Sequence, residues 1–128
     1  TNQKWGEAIV AVAGPLANLA IAAIFAILVR LSDVLSLSGA FIQLAIGVIM
    51  LNIFLAFFNL VPIPPLDGSK ILPKFLPYSL RMKYEGFRTY FEQNIALGFA
   101  LVIILFMVFF AGPLYTATQW LTAVLVGY

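Results

Sequence analysis

The feature that most constrains this chain is the run Asn59-Leu60-Val61-Pro62-Ile63-Pro64-Pro65-Leu66-Asp67-Gly68, which closes a long apolar segment. Its prolines cannot donate to a helix ladder, and each pushes the residue before it toward extended backbone. A helix arriving from the N-terminal side must end here. Non-helical backbone near a bilayer is tolerated only where protein or a watery cavity covers it. Ionisable groups at such a depth are costly and mark functional positions. The run therefore predicts a rigid, extended, proline-rich loop that presents the Asp67 carboxylate into a shielded cavity, as a metal or proton site requires.

Composition decides that a membrane is the relevant solvent. Hydrophobic residues make up 63% of the chain and charged residues 9%, with a mean hydropathy of +1.06. A 128-residue body of that composition cannot keep its apolar surface away from water. The expected class is an all-α integral, multi-pass membrane protein in contact with the lipid bilayer. The net charge of +2 is small and its basic residues gather in one loop, which argues against nucleic acid as a partner. The chain has no cysteine, so disulfide and thiolate chemistry are excluded, and no histidine, the commonest zinc ligand and general base.

Three segments are long enough to span: about residues 8–29, 39–61 and 95–111. The third lies near the lower limit of the roughly 17–25 residues a spanning helix needs. A final stretch from Pro113 to Tyr128, with Tyr115 and Trp120, reads as an interfacial or short helix. Residues 67–93 hold most of the charge, with Lys70, Lys74, Arg81, Lys83 and Arg88 set against Asp67, Glu85 and Glu92. The positive-inside rule places this loop, and Lys4 with it, in the cytoplasm. Ile71, Leu72, Phe75, Leu80, Tyr84, Phe87 and Phe91 alternate with its basic residues. It reads as amphipathic structure in the headgroup plane, interrupted at Pro73 and Pro77, either as a lipid-touching connector or as a substrate-gating surface.

Two further polar positions stand out. In Ala13-Gly14-Pro15-Leu16-Ala17-Asn18, Gly and Pro loosen a spanning helix and let a neighbour approach closely. Asn18, one turn beyond Gly14, shares its face and reads as a packing kink with an interhelical hydrogen bond or as part of a site. Asn52 and Asn59, seven apart, also share a face and read as interhelical polar contacts. Asp67 itself, taken alone, either caps the helix that follows at Gly68-Ser69-Lys70 or serves a metal or proton.

Taken together and in this order, Gly14-Pro15-Leu16-Ala17-Asn18 in one span and Asn59 to Gly68 closing the next resemble the site-2 protease family of intramembrane zinc metallopeptidases. Ser69-Lys70-Ile71-Leu72 is similar to the family's continuation. In that family two histidines of a His-Glu-x-x-His helix bind zinc and the glutamate activates the attacking water. The resemblance implies that Asp67 is the third protein ligand, leaving a position for water. It implies that Asn59 holds substrate backbone or steadies the oxyanion, and that Asn18 lines the same cavity.

The chain departs from the family in having no histidine. No catalytic residue is therefore expected in it, and the general base is expected upstream of Thr1. The resemblance implies the C-terminal portion of an enzyme that cleaves membrane-spanning protein substrates, inert by itself. Two rivals are a non-catalytic membrane scaffold built on the same cavity, and part of an ion-coupled transporter with Asp67 as proton relay.

Overall fold

A computed structural model describes residues 3–64, 66–110 and 112–127, with the side chains of residues 3, 4, 109 and 110 left aside. Pro65, Ala111, Tyr128 and the Lys4 side chain, which entered the expectations above, lie outside the described part. Among the described residues every regular element is helical.

Helix α1 spans Gln3–Arg30 and runs through Pro15 without a break in assignment. A single-turn helix, α2 (Ser32–Leu35), and a left-handed Ser36 at φ 54° turn the chain back. Ser38 then starts α3 (Gly39–Asn59), its hydroxyl accepting from the Phe41 amide at 3.1 Å. That satisfies one of the donors a helix start leaves unpaired. At 1.5 Å per residue α3 is roughly 30 Å long, the thickness of a bilayer's hydrocarbon core. Among the described residues two helices, Trp5–Arg30 and Gly39–Asn59, are by themselves long and apolar enough to cross a membrane.

The two spans pack through a stripe of small residues. Ala8, Ala11, Pro15, Ala22, Ala26 and Val29 are buried at helical spacing on α1. Ala22, Ala26 and Val29 meet Ala45, Ile49 and Ile53 of α3 in one cluster. In lipid, which is as apolar as leucine, association depends on close backbone approach, and alanine allows it. The opposite face of α1, with Ile9, Val10, Leu16, Ile24 and Ile27, is exposed, as a lipid-facing surface should be.

Beyond the proline loop come α4 (Gly68–Ile71), a 3-10 turn at Leu72–Phe75 and α5 (Tyr78–Gln93). Pro73 and Pro77 do interrupt the helix, as expected. The third expected span is α6 (Ile95–Phe110), only 16 residues long. It passes as membrane-crossing only when joined to α5, and the two meet at 105° around Asn94. Val102, Leu105 and Phe106 pack on Phe54, Phe58 and Leu66 at the loop end of the molecule.

The helix laid along α3 is instead α7 (Pro113–Val126). Its Leu114 sits at the Phe54–Phe58 end, and Val126 joins the Ala45–Ile49 cluster. Buried Thr118 and Thr122 return their hydroxyls to the carbonyls of Leu114 (2.8 Å) and Thr118 (2.7 Å), so neither hydroxyl is left unpaired. Arg30 at the end of α1 donates to the carbonyls of Val124 (2.8 Å) and Leu125, closing the C-terminus of α7 beside Gly127 at φ 85°. A cation at the negative end of a helix is favourable in the same sense.

The proline loop corrects one expectation. It does not run extended. Val61 donates to Phe58, Ile63 to Val61 and Leu66 to Ile63 at 2.8–3.1 Å, so the chain coils through consecutive tight turns. The reason lies at Gly68, where a Cβ would collide with the backbone carbonyls of Leu60 and Val61. Only glycine lets the end of the loop fold back onto its beginning.

Candidate functional site

The coiled loop fixes where Asp67 points. Asp67 occupies the position before α4 but has helical backbone angles (φ −61°, ψ −30°), and its side chain makes no cap hydrogen bond. Capping, one of the two sequence readings, is therefore not what this carboxylate does. A Cβ built on Gly14 would lie 3.1 Å from Asp67 Oδ2. The glycine of one motif thus abuts the carboxylate of the other. The close approach expected at Gly14 is made by Asp67 rather than by a neighbouring helix backbone.

Asp67 is half-buried, and among the described residues its carboxylate receives no hydrogen bond. A half-buried carboxyl group without an internal partner among the described residues is open to a partner from outside them. Its mounting is firm. Leu66 is buried against Phe54 and Phe58. Ser69, 2% exposed, donates its hydroxyl to the Leu66 carbonyl at 2.8 Å.

Asn18 and Asn59 are both half-buried, and neither amide side chain has a hydrogen-bond partner among the described residues. Asn18 lies one turn along α1 from Gly14, on the same face. Asn59 ends α3, next to the Leu60 carbonyl that touches Gly68. Asn52 differs: its amide donates to Val48 of its own helix at 2.8 Å, so it is not the interhelical contact expected of it.

The residues that hold the loop from outside were not legible as site residues. Tyr84 on α5 donates its hydroxyl to the Pro62 carbonyl at 2.7 Å. Burial pushes the Tyr84 phenol up to about 12; nearby Arg88 opposes this and Glu85 adds to it. Arg88, 15% exposed, reaches Glu7 of α1 at 3.0 Å, Glu92 at 3.1 Å, Glu85 at 3.6 Å and the Ser69 carbonyl at 3.5 Å. Burial works against the Arg88 charge, yet Glu85, Glu7 and Glu92 outweigh it and raise its pKa above the ordinary value. The amphipathic α5 is thus bolted to the loop and to α1. The spacing Glu85, Arg88, Glu92 was a visible signal of helical ion pairs; Glu7, 81 residues away, was not.

A cavity of about 360 Å³ lies between the loop and the α5–α6 bend, lined by Pro64, Ser69, Phe91, Ile95, Gly98 and Phe99 among others. Asp67 does not line it; the carboxylate faces α1 instead.

The donor set limits metal chemistry. Asp67 fits as one oxygen ligand, being unpaired and set against a residue without a side chain. Among the described residues no three His, Cys, Asp or Glu side chains come together as a tetrahedral zinc site with three protein ligands would need.

Residues 30–105 match the model of a protein family, Peptidase family M50. The chain is 33% identical over 118 residues to the "Putative zinc metalloprotease YwhC" of Bacillus subtilis, covering 88% of this chain and 49% of that protein. It is 44% identical over 63 residues to the "Putative zinc metalloprotease MJ0611" of Methanocaldococcus jannaschii, covering 49% of this chain and 31% of that protein. The chain thus spans about half the length of the first relative and less of the second. No solved structure matches it. With two membrane-length helices and a family match across more than half its residues, the chain is an integral membrane protein that belongs to peptidase family M50, the site-2 protease family.

Proposed function

We propose that the chain is the C-terminal portion of an intramembrane zinc metalloprotease, with Asp67 as one carboxylate ligand of the metal. The observation that carries this reading is the Asp67 carboxylate, unpaired among the described residues and set beside Gly14 of the adjacent span. A zinc ion on three protein ligands supplies an acidified water at neutral pH, the chemistry peptide hydrolysis needs. One carboxylate does not hold zinc, so this reading assigns the other ligands and the general base to a His-Glu-x-x-His helix upstream of Thr1.

The chain's own residues take supporting parts. Asn59 and Asn18, whose amides have no partner among the described residues, bind the substrate backbone or donate to the developing oxyanion. Tyr84 and Arg88 keep the coiled loop in place from the α5 side. The substrate is a membrane-spanning protein segment, unwound beside the cavity and cut near the cytoplasmic face, a side that the excess of basic residues in 67–93 supports. The test is Asp67→Ala in the full-length protein, reconstituted with a single-span substrate. Loss of both bound zinc and cleavage is expected; retention of both overturns the assignment.

A further inference from the structure

Two cavities flank the first turns of α1, and their chemistry is complementary. The first, about 330 Å³, is lined by Glu7, Lys74, Tyr78, Arg81, Glu85 and Arg88 among others. The second, also about 330 Å³, is an apolar groove formed by Trp5, Ile9, Val12, Leu16, Ile71 and Phe75 with the small residues between them. Both are walled by the start of α1 and by the 3-10 turn at Leu72–Phe75. Lys74 of the first and Phe75 of the second are neighbours in the chain, and the Trp5 and Phe75 rings of the groove stand edge to face at 6.5 Å.

The charges of the polar cavity do not balance internally. Glu7 and Glu85 are both engaged by Arg88. Lys74 and Arg81 are half-buried, and no described carboxylate lies within ion-pair distance of either. Among the described residues the Arg81 guanidinium faces the Tyr78 ring, 5.9 Å from its central carbon. Half-buried cations without a counter-charge call for an anion from outside. The neighbouring groove calls for an apolar chain, running along α1 for roughly 16 Å between Trp5 and Leu16. Phe75 and Tyr78, both about 70% exposed (73% and 69%), stand on this same edge of the molecule, as interfacial aromatics do.

We propose that this edge is a binding site for an anionic phospholipid, its phosphate between Lys74 and Arg81 and one acyl chain in the Trp5–Leu16 groove. The site ties a headgroup to α5, the helix that Tyr84 and Arg88 fasten to the Asp67 loop. It stands on its own chemistry and does not depend on the proteolytic reading.

The experiment reconstitutes the full-length protein with phosphatidylglycerol or phosphatidylcholine bearing a photoreactive diazirine in the acyl chain, and maps labelling by mass spectrometry. Labelling of residues 5–16 is expected to favour phosphatidylglycerol about thirtyfold, on the order of what two interfacial cations confer. Lys74→Gln with Arg81→Gln should remove that preference, and Lys74→Arg with Arg81→Lys should keep it. Labelling around Trp120 and Val124, exposed on α7, should be equal for both lipids in every variant and so report intact insertion. Excess glycerol 3-phosphate should leave the pattern unchanged; loss of the preference to it would mean that a headgroup alone is bound, and overturns the proposal. Equal labelling by the two lipids, or a preference surviving the double Gln variant, does the same. Absence of lipid label on residues 5–16 would show the groove filled by another part of the protein, and also overturns it.

Discussion

Gly14 on the first spanning helix and Asp67 at the end of the proline loop are in contact: a Cβ on Gly14 would lie 3.1 Å from Asp67 Oδ2. The contact brings together the two motifs that carry the family resemblance, 53 residues apart in the chain. It also explains the glycine, since no other residue leaves the carboxylate where it is.

Gly14→Ala separates function from stability. A Cβ at 3.1 Å from a side-chain oxygen forces a shift of a few tenths of an ångström, and alanine is the better helix former by up to about 1 kcal/mol. In the full-length protein, resistance to unfolding in detergent should hold or rise. Zinc retention and cleavage should fall, the latter by about tenfold or more, because ligand placement is sensitive on this scale. Wild-type cleavage in Gly14→Ala would show that the contact has no part in the site.

Gly68→Ala should act through the fold. Its Cβ would meet backbone carbonyls of Leu60 and Val61, which cannot rotate away. Overpacking of this kind costs about 1–3 kcal/mol, and more where backbone is the obstacle. A denaturant titration in detergent should register a loss at the upper end of that range. An unchanged midpoint would mean that the loop opens without cost.

The Arg88–Glu7 pair joins α5 to α1 at 3.0 Å, with Glu7 39% exposed. A pair so open to solvent is worth about 0.5–1 kcal/mol. A double-mutant cycle with Glu7→Gln and Arg88→Gln should return a coupling of that size. Arg88→Gln alone should cost more than Glu7→Gln alone, because Glu85, Glu92 and the Ser69 carbonyl lose their partner as well. Equal single effects would contradict the hub arrangement.

Tyr84 makes the loop sensitive to high pH. Its folded pKa, about 12, lies above the ordinary 10.0, chiefly through burial. The folded state therefore holds this proton more tightly than the unfolded chain does. Its contribution is full below pH 10 and is lost as pH rises through about 12. Following phenolate absorbance, one tyrosine should titrate late, and Tyr84→Phe should remove that component. The same variant should cost about 1 kcal/mol at neutral pH, for the bond to Pro62.

Several elements were legible in the sequence because local physics sets them. The apolar runs expected at about 8–29 and 39–61 are α1 and α3, and Ile95 and Pro113 begin helices as read. Hydropathy and proline act over a few residues, so they report such boundaries well. The loop was misread as extended because each proline was judged by its own backbone preference, whereas Gly68 permits a backbone contact that outweighs it. The segment from Ile95 was read as a span of its own, whereas α6 reaches membrane-crossing length only together with α5, from which it turns by 105°, with Phe106 against Phe54 and Phe58.

By itself, then, the sequence determined an all-helical membrane protein, a helix end at the prolines, and one carboxylate beyond them. These follow from the cost of apolar surface in water and of unpaired backbone in lipid, which any chain of this composition must meet. The tertiary structure decided that Asp67 rests on Gly14 instead of capping α4, that α7 lies along α3 under the guanidinium of Arg30, and that α5 is fastened by Tyr84 and Arg88. Each of these contacts joins residues more than twenty positions apart, where no local preference operates and only the packing of the helices selects the partner.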